Sequence, residues 1–278
     1  MESQRVIPVI RFSQENMSPS SSCWISTCQD VKKAFEIYGC FLAIYEEISM
    51  EQCKELFREL EKLFDLPVET KAKNTSKIPN FGYIGPESYT RPLYESMGIE
   101  NSTNLESVQS FTNLMWPSGN THFCGLLHSH AKQMLELDNM VTRTMFASYD
   151  VEKYHETCVK SKGNLVRVMK YGVPKSDEPN VGLPPHSDKG FTTILHQNQV
   201  NGLEIETKDG HWISVEFPPS SFIVIAGDAL KEWSNDRIHA VTHRVTMSGN
   251  ESRYSLGQFS HPQKIGTLEE LIVSSSAV

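Results

Sequence analysis

The chain has 278 residues, 38% hydrophobic and 22% charged, which is enough apolar material for a core and too little charge for a disordered polymer. A net charge of -8 and the lack of any long Lys/Arg block exclude a phosphate-tracking surface, so nucleic acid is not an expected partner. Residues 1–10 lack the basic flank and apolar run of a secretory signal, and no run reaches membrane-spanning length. Six scattered cysteines (Cys23, Cys28, Cys40, Cys53, Cys124, Cys158) form no Cys-x-x-Cys pair, so a cytoplasmic protein with reduced thiols is expected and a cysteine zinc site is not.

A single domain over 1–278 is expected, with a helical and loop-rich portion over 1–160, a core over 161–260 and a short tail over 261–278. Val6-Ile-Pro-Val-Ile10 reads as a first strand and the serine-rich stretch Asn16 to Ser22 as a loop. Apolar residues at helical spacing from Val31 to Tyr38 stop at Gly39, and Gly39 to Ile44 reads as strand. Ser49 and Gln52 form a capping-box pattern ahead of a helix whose buried face carries Leu56, Leu60, Leu63 and Phe64 and which stops before Pro67.

Residues 71–120, rich in Pro, Gly, Asn and Ser, read mostly as loop. From His122 to Ser148 the spacing of Leu127, Ala131, Leu135 and Met145 predicts a long helix, with Met134, Met140 and Met145 as core filler. Beyond Lys162 the pattern changes to short β-type runs: Val166–Met169, Thr192–Leu195, Leu203–Glu206, Trp212–Val215, Phe222–Ile225, Ala240–Met247 and Tyr254–Phe259. Asp209-Gly210 is a favoured hairpin turn. The expected fold class is therefore mainly β with flanking helices, the strands forming a closed double sheet, or jelly roll.

His186-Ser-Asp188 sets an imidazole and a carboxylate two residues apart, on one face of an extended segment. Alone this is a weak pattern, compatible with a surface loop after Pro184-Pro185. It gains weight from His243, far along the chain in the alternating run Ala240-Val-Thr-His-Arg-Val-Thr-Met247. Two imidazoles and one carboxylate on one side of an ion leave positions open, an arrangement that favours Fe(II) over zinc.

In Arg253-Tyr-Ser255, alternation puts a guanidinium and a hydroxyl on one face, a plausible clamp for the distal carboxylate of a dicarboxylic co-substrate. Tyr171 could add a second hydroxyl. Phe191 and Phe259 flank motif strands and are candidates for lining a substrate pocket, whereas His196, His211 and His239 read as structural or surface histidines and Trp212 and Trp233 as core or rim aromatics.

These pieces resemble a plant 2-oxoglutarate- and iron-dependent dioxygenase. The likeness is carried, in order, by Ile7-Pro-Val-Ile10, Tyr38-Gly-Cys-Phe41, Leu63-Phe-Asp-Leu-Pro67, Phe81-Gly-Tyr-Ile-Gly-Pro86, Gly182-Leu-Pro-Pro-His-Ser-Asp188, Gly227-Asp228, Ser234-Asn235, Val241-Thr-His-Arg-Val245 and Arg253-Tyr-Ser255. Lys170-Tyr-Gly-Val-Pro174 and Lys189 look most similar to the subgroup that includes glucosinolate side-chain dioxygenases.

The resemblance implies a distorted double-stranded β-helix, Fe(II) ligation by His186, Asp188 and His243, and 2-oxoglutarate held by Arg253, Ser255 and Tyr171. It also implies O2 as a co-substrate, ascorbate as an optional reductant, and a small organic metabolite of plant specialised metabolism as substrate. The reaction would be a hydroxylation, desaturation or oxidative dealkylation. Three departures stand out. Arg11 replaces a commonly acidic residue, Met169 replaces an Asn that often precedes the co-substrate tyrosine, and few residues follow Phe259 where relatives usually continue with a helical cover for the site. The alternatives are an oxidase of the same fold that does not consume 2-oxoglutarate, and a catalytically silent metal- or small-molecule-binding paralogue.

Overall fold

A computed structural model describes residues 6–13, 17–18, 21–86, 91–175, 180–262 and 266–276. In the first third of the chain, polar caps and apolar periodicity set the boundaries. Strand β1 (Val9–Phe12) leads to helix α1 (Ser22–Ile37), whose first free N–H groups are met by Ser21 Oγ accepting from Trp24 N. Gly39, with φ of 70°, ends the turn; a Cβ there would lie 2.3 Å from the His239 carbonyl, so only glycine lets the chain turn into β2 (Cys40–Tyr45). Ser49 Oγ accepts from Gln52 N at 3.1 Å and starts α2 (Met50–Phe64), followed by the short α3 (Val68–Lys71).

The next segment departs from expectation. Residues 71–120 are not mostly loop: they contain β3 (Tyr83–Ile84), β4 (Tyr94–Glu100) and α4 (Leu105–Met115). The helix was there to be read, since Asn104 Oδ1 caps Glu106 N at 2.7 Å and Val108, Phe111 and Met115 recur at helical spacing on its buried face. β4 is hidden because it is covered on both faces, which erases the alternation that marks a half-buried strand.

Then come α5 (Thr121–Ser148), α6 (His155–Ser161) and the core strands β5 (Lys162–Tyr171), β6 (Val181–His186), β7 (Thr192–Gln197), β8 (Leu203–Glu206), β9 (Trp212–Ser214) and β10 (Ser221–Ala226). Helix α7 (Asp228–Trp233), β11 (His243–Thr246), β12 (Arg253–Pro262) and α8 (Leu268–Ser276) complete the described elements. Several boundaries shift, and β5 and β12 extend beyond the expected Val166–Met169 and Tyr254–Phe259. The first strand begins at Val9 rather than Val6, α1 begins well before Val31, and β11 is confined to the second half of 240–247. On α5 the buried stripe passes through Met134 and Leu137, with Leu135 only partly buried. The expected loop at Asn16–Ser22 lies partly outside the described residues.

The strands form an eight-stranded sheet ordered β1-β2-β10-β7-β12-β5-β4-β3 and a four-stranded sheet ordered β6-β11-β8-β9. Strands from before residue 160 thus lie beside the core strands. Alternation on the large sheet divides its side chains between two cores. Phe41, Ala43, Val166, Val168, Phe222, Val224 and Leu256 face the helices, while Leu42, Met169, Tyr171, Leu195, Ile223 and Ile225 face the small sheet. Among the described residues no helix is long and apolar enough to cross a membrane.

α5 is fixed to the sheet by a buried ion pair: Lys162 Nζ donates to Asp138 Oδ2 at 2.8 Å and to Thr142 Oγ1 at 2.6 Å, and Thr192 Oγ1 also donates to Asp138. Removing one partner leaves the other charge buried and unpaired, at a cost of about 3–5 kcal/mol. Asp138→Ala should lower stability by that amount in urea unfolding, whereas truncation of the exposed Lys160–Glu156 pair should change it by roughly 0.5 kcal/mol or less.

Candidate active site

Strand β6 ends at His186 and β11 begins at His243, and their antiparallel register sets the two residues opposite each other. The rings lie 4.3 Å apart between centroids. Each Nδ1 faces its own main chain, His186 Nδ1 at 2.9 Å from the Pro184 carbonyl and His243 Nδ1 at 3.4 Å from the Val241 carbonyl. With Nδ1–H donating there, each Nε2 presents a lone pair to the space between the strands. Asp188 completes the group: its Oδ1 is 3.8 Å from His186 Nε2 and its Oδ2 is 3.9 Å from His243 Nε2. One ligand atom from each of the three lies within 4.8 Å of the others. Burial holds His243 below the usual histidine pKa, against the opposing pull of Asp188, so its imidazole is neutral and ready to ligate.

Asp188 is held from two sides. Thr193 Oγ1 donates to its Oδ2 at 2.5 Å, and the Asp228 N–H donates to its carbonyl at 2.7 Å. The chain at Gly227 passes so close that a Cβ would lie 2.1 Å from the Gly190 carbonyl and 2.9 Å from that of Asp188. At the rim Lys189 is paired with Asp228 at 2.5 Å.

The facing wall is the large sheet. Arg253 pairs in register with Tyr171, and Ser255 with Met169 and Gln197, so alternation sends all of these side chains inward. Arg253, 1% exposed, donates from Nε and Nη2 to Gln197 Oε1 at 3.1 and 2.9 Å and from Nη1 to Ser255 Oγ at 3.3 Å. Its guanidinium lies 4.9 Å from the centre of the Tyr171 ring. Burial lowers the guanidinium's pKa while Tyr171 opposes this; the group keeps its proton. Burial raises the Tyr171 hydroxyl's pKa above its ordinary value, with Arg253 pulling it back. The hydroxyl meets the Met169 sulfur at 3.6 Å. Arg253 has no carboxylate partner among the described residues.

Between the two walls is a cavity of about 310 Å³, lined by the three candidate ligands, Arg253, Ser255, Tyr171 and Phe259, the apolar Met169, Leu183, Leu195, Leu203 and Val245, and also Arg167, Arg91 and Asn80. Phe191 is not in this wall. It is 1% exposed and packs edge-on against Trp233 with 5.8 Å between centroids, because the turn after Gly190 directs it into the helix-side core. Sequence reasoning missed Gln197, Thr193 and Arg167, although Arg167 stands two and four residues before Met169 and Tyr171 on one strand, a period that puts all three on one face.

A second cluster, Cys53, His130 and His196, lies between α2, α5 and β7. The two imidazoles stack with 5.2 Å between centroids, and burial lowers His130 to about 4 and His196 well below the ordinary value. Both rings are neutral core groups. Beyond β12, Leu268–Ser276 form α8, whose Leu268 is fully buried and whose Glu269 N–H donates to Asn235 Oδ1 at 3.2 Å beside α7.

This architecture and site define a class. Residues 163–262 match the 2OG-Fe(II) oxygenase superfamily and residues 7–118 the N-terminal region described as non-haem dioxygenase in morphine synthesis, and the chain belongs to this family of 2-oxoglutarate- and Fe(II)-dependent dioxygenases. It is 42% identical to the probable 2-oxoglutarate-dependent dioxygenase AOP1.2 of Arabidopsis thaliana over 96% of its own length and 84% of that protein's. The 2-oxoglutarate-dependent dioxygenase AOP3 of the same plant is 29% identical over 93% of this chain and 85% of its own length. These relatives agree with the narrower subgroup expected from the sequence. Among solved structures, the 2-oxoglutarate complex of the dioxygenase for auxin oxidation 1 from Arabidopsis thaliana superposes with a TM-score of 0.83 at 25% identity, covering 93% of this chain and 94% of that one.

The close approach at Gly227 generates a prediction. Gly227→Ala should push the 188–190 turn away from β11 and weaken Fe(II) binding by about tenfold, or roughly 1.4 kcal/mol, in an anaerobic metal titration. The far-ultraviolet circular dichroism of the variant should match the parent's.

Proposed function

We propose that His186, Asp188 and His243 hold Fe(II), that Arg253, Ser255 and Tyr171 receive the distal carboxylate of 2-oxoglutarate, and that the enzyme oxidises a small organic metabolite of plant specialised metabolism. The observation that carries this reading is Arg253: a buried cation with only neutral partners, across the cavity from a three-ligand cluster. Burying an unpaired charge is costly, and a carboxylate that arrives with the co-substrate removes that cost.

Gln197 takes the Nε side of the guanidinium, which leaves its terminal nitrogens toward an incoming carboxylate, with the Ser255 and Tyr171 hydroxyls beside them. The Tyr171 ring fixes the plane of the fork. Leu195, Leu203, Val245 and Phe259 exclude water from the space between fork and ligands. Thr193 and the backbone at Asp228 hold Asp188 in place, and the Nδ1 contacts of both histidines aim their Nε2 atoms. When bound, the iron and 2-oxoglutarate use O2 to oxidise a substrate C–H bond with release of succinate and CO2; the chain supplies orientation and dryness.

The silent-paralogue reading is not favoured, since His186, Asp188, His243 and Arg253 are brought together around one cavity. We also place the protein in the cytoplasm as a single domain acting on a small molecule and not on nucleic acid. Free thiols, five of them buried, suit a reducing compartment.

His186→Ala, Asp188→Ala and His243→Ala should each abolish Fe(II) binding or reduce it severely, while His239→Ala, whose residue lies outside the cavity wall, should bind the metal normally. A dispensable His243 would overturn the third ligand. Arg253→Gln should weaken 2-oxoglutarate at least tenfold and leave Fe(II) affinity nearly unchanged, since a charge-assisted pair truncated in a buried site costs about 2–5 kcal/mol. Calorimetric titration of each ligand separates the two effects, and equal 2-oxoglutarate affinity in parent and variant would exclude the clamp.

A further inference from the structure

The cavity holds more positive charge than the proposed chemistry uses. Asp188 is the one carboxylate residue in its described lining, against the cations of Arg253, Arg167, Arg91 and Lys189, in a chain whose net charge is -8. Fe(II) with Asp188, Arg253 and doubly charged 2-oxoglutarate sums to zero. Lys189 is paired with Asp228. Arg91 lies over the Tyr94 ring, 5.9 Å from its centre. Arg167 is the remaining cation.

Arg167 is 7% exposed, and its partners are neutral: Nη1 donates to Ser96 Oγ at 2.9 Å and Nη2 to the Asn80 carbonyl. It has no carboxylate partner among the described residues. A buried guanidinium whose partners are all neutral is the same signature that Arg253 shows. In register it faces Gly257, four residues along β5 from Tyr171, roughly 13 Å at the rise of a strand. Position 257 has no side chain, and the Phe259 ring and Leu195 lie over it, so Arg167 borders the apolar part of the cavity. Thr193, which holds Asp188, pairs with Phe259 at this same end of the sheet, so the candidate ligands lie toward Arg167 and between it and the full reach of the co-substrate from Arg253.

We propose that Arg167 binds an acidic group of the organic substrate, a carboxylate or a sulfate ester, and that this contact sets which C–H bond is presented to the metal. The proposal rests on the reading of Arg253 as the co-substrate clamp. Without that assignment the two arginines could exchange roles.

The test uses the full chain with Fe(II) and 2-oxoglutarate under anaerobic conditions, and matched probes that differ only in charge: phenylacetate and phenylacetamide, hexanoate and hexanamide, with hexyl sulfate to separate sulfate from carboxylate. Binding is read by calorimetry. At least one anion should bind at least tenfold tighter than its neutral counterpart, hexanamide serving as the counterpart for hexyl sulfate. Arg167→Gln should remove that preference while 2-oxoglutarate affinity stays within twofold. Should Arg167→Gln melt below the assay temperature, Arg167→Lys takes its place and should show a reduced but measurable preference. Equal binding of acids and amides by the parent, or a preference unchanged in the variants, overturns the proposal. Loss of 2-oxoglutarate binding in Arg167→Gln together with its retention in Arg253→Gln would overturn the clamp assignment instead, and failure of the parent to bind 2-oxoglutarate at all would strike the earlier reading alone.

Discussion

The site depends on one pairing, that of β6 with β11, in which His186 stands opposite His243. An antiparallel register that slipped by one residue would turn one imidazole to the other face of the small sheet and leave Asp188 with a single neighbour. The register is specified by what flanks it. Leu183 and Val245 are set across from each other and fill the space between the sheets, and β8 holds β11 from its other side, with His243 beside Ile205. The β6–β11 ladder is irregular after His243, between the paired imidazoles and the apolar filling.

Against this small sheet the large one works as a ruler. Its period of two places Arg253, Ser255, Tyr171, Met169 and Arg167 on a common inward face, and the same period on the outer face provides the apolar surface that α5 covers. The Asp138–Lys162 pair joins these layers at the end of β5, so a helix packed on the outside fixes the strand that carries cavity residues on the inside. Rigidity of the wall and geometry of the cavity therefore have a common source.

Much of this was legible in the residues. His186, Asp188 and His243 declared themselves because few side chains ligate a metal and strand alternation predicts which of them share a face. Arg253 and Ser255 followed from the same rule. What escaped had three physical causes. β4 is buried on both faces and so carries no alternation, and Phe191 faces the helices because the turn after Gly190, whose closeness to Gly227 no local pattern reveals, sets its direction. Arg167 was a third kind of miss: an arginine on a strand ordinarily faces solvent, and only β4 and the Asn80 segment, once folded over β5, make it interior.

The isolation of Arg253 has a consequence outside catalysis. A chain that folds around an unneutralised cation is less stable empty than filled, and a ligand that binds the folded form alone raises its stability with the logarithm of ligand concentration. With 2-oxoglutarate as that ligand, cells rich in this central acid of carbon and nitrogen metabolism would hold a larger share of the chain in its protease-resistant state. Supply of the co-substrate would then govern how long each copy survives as well as how fast it works.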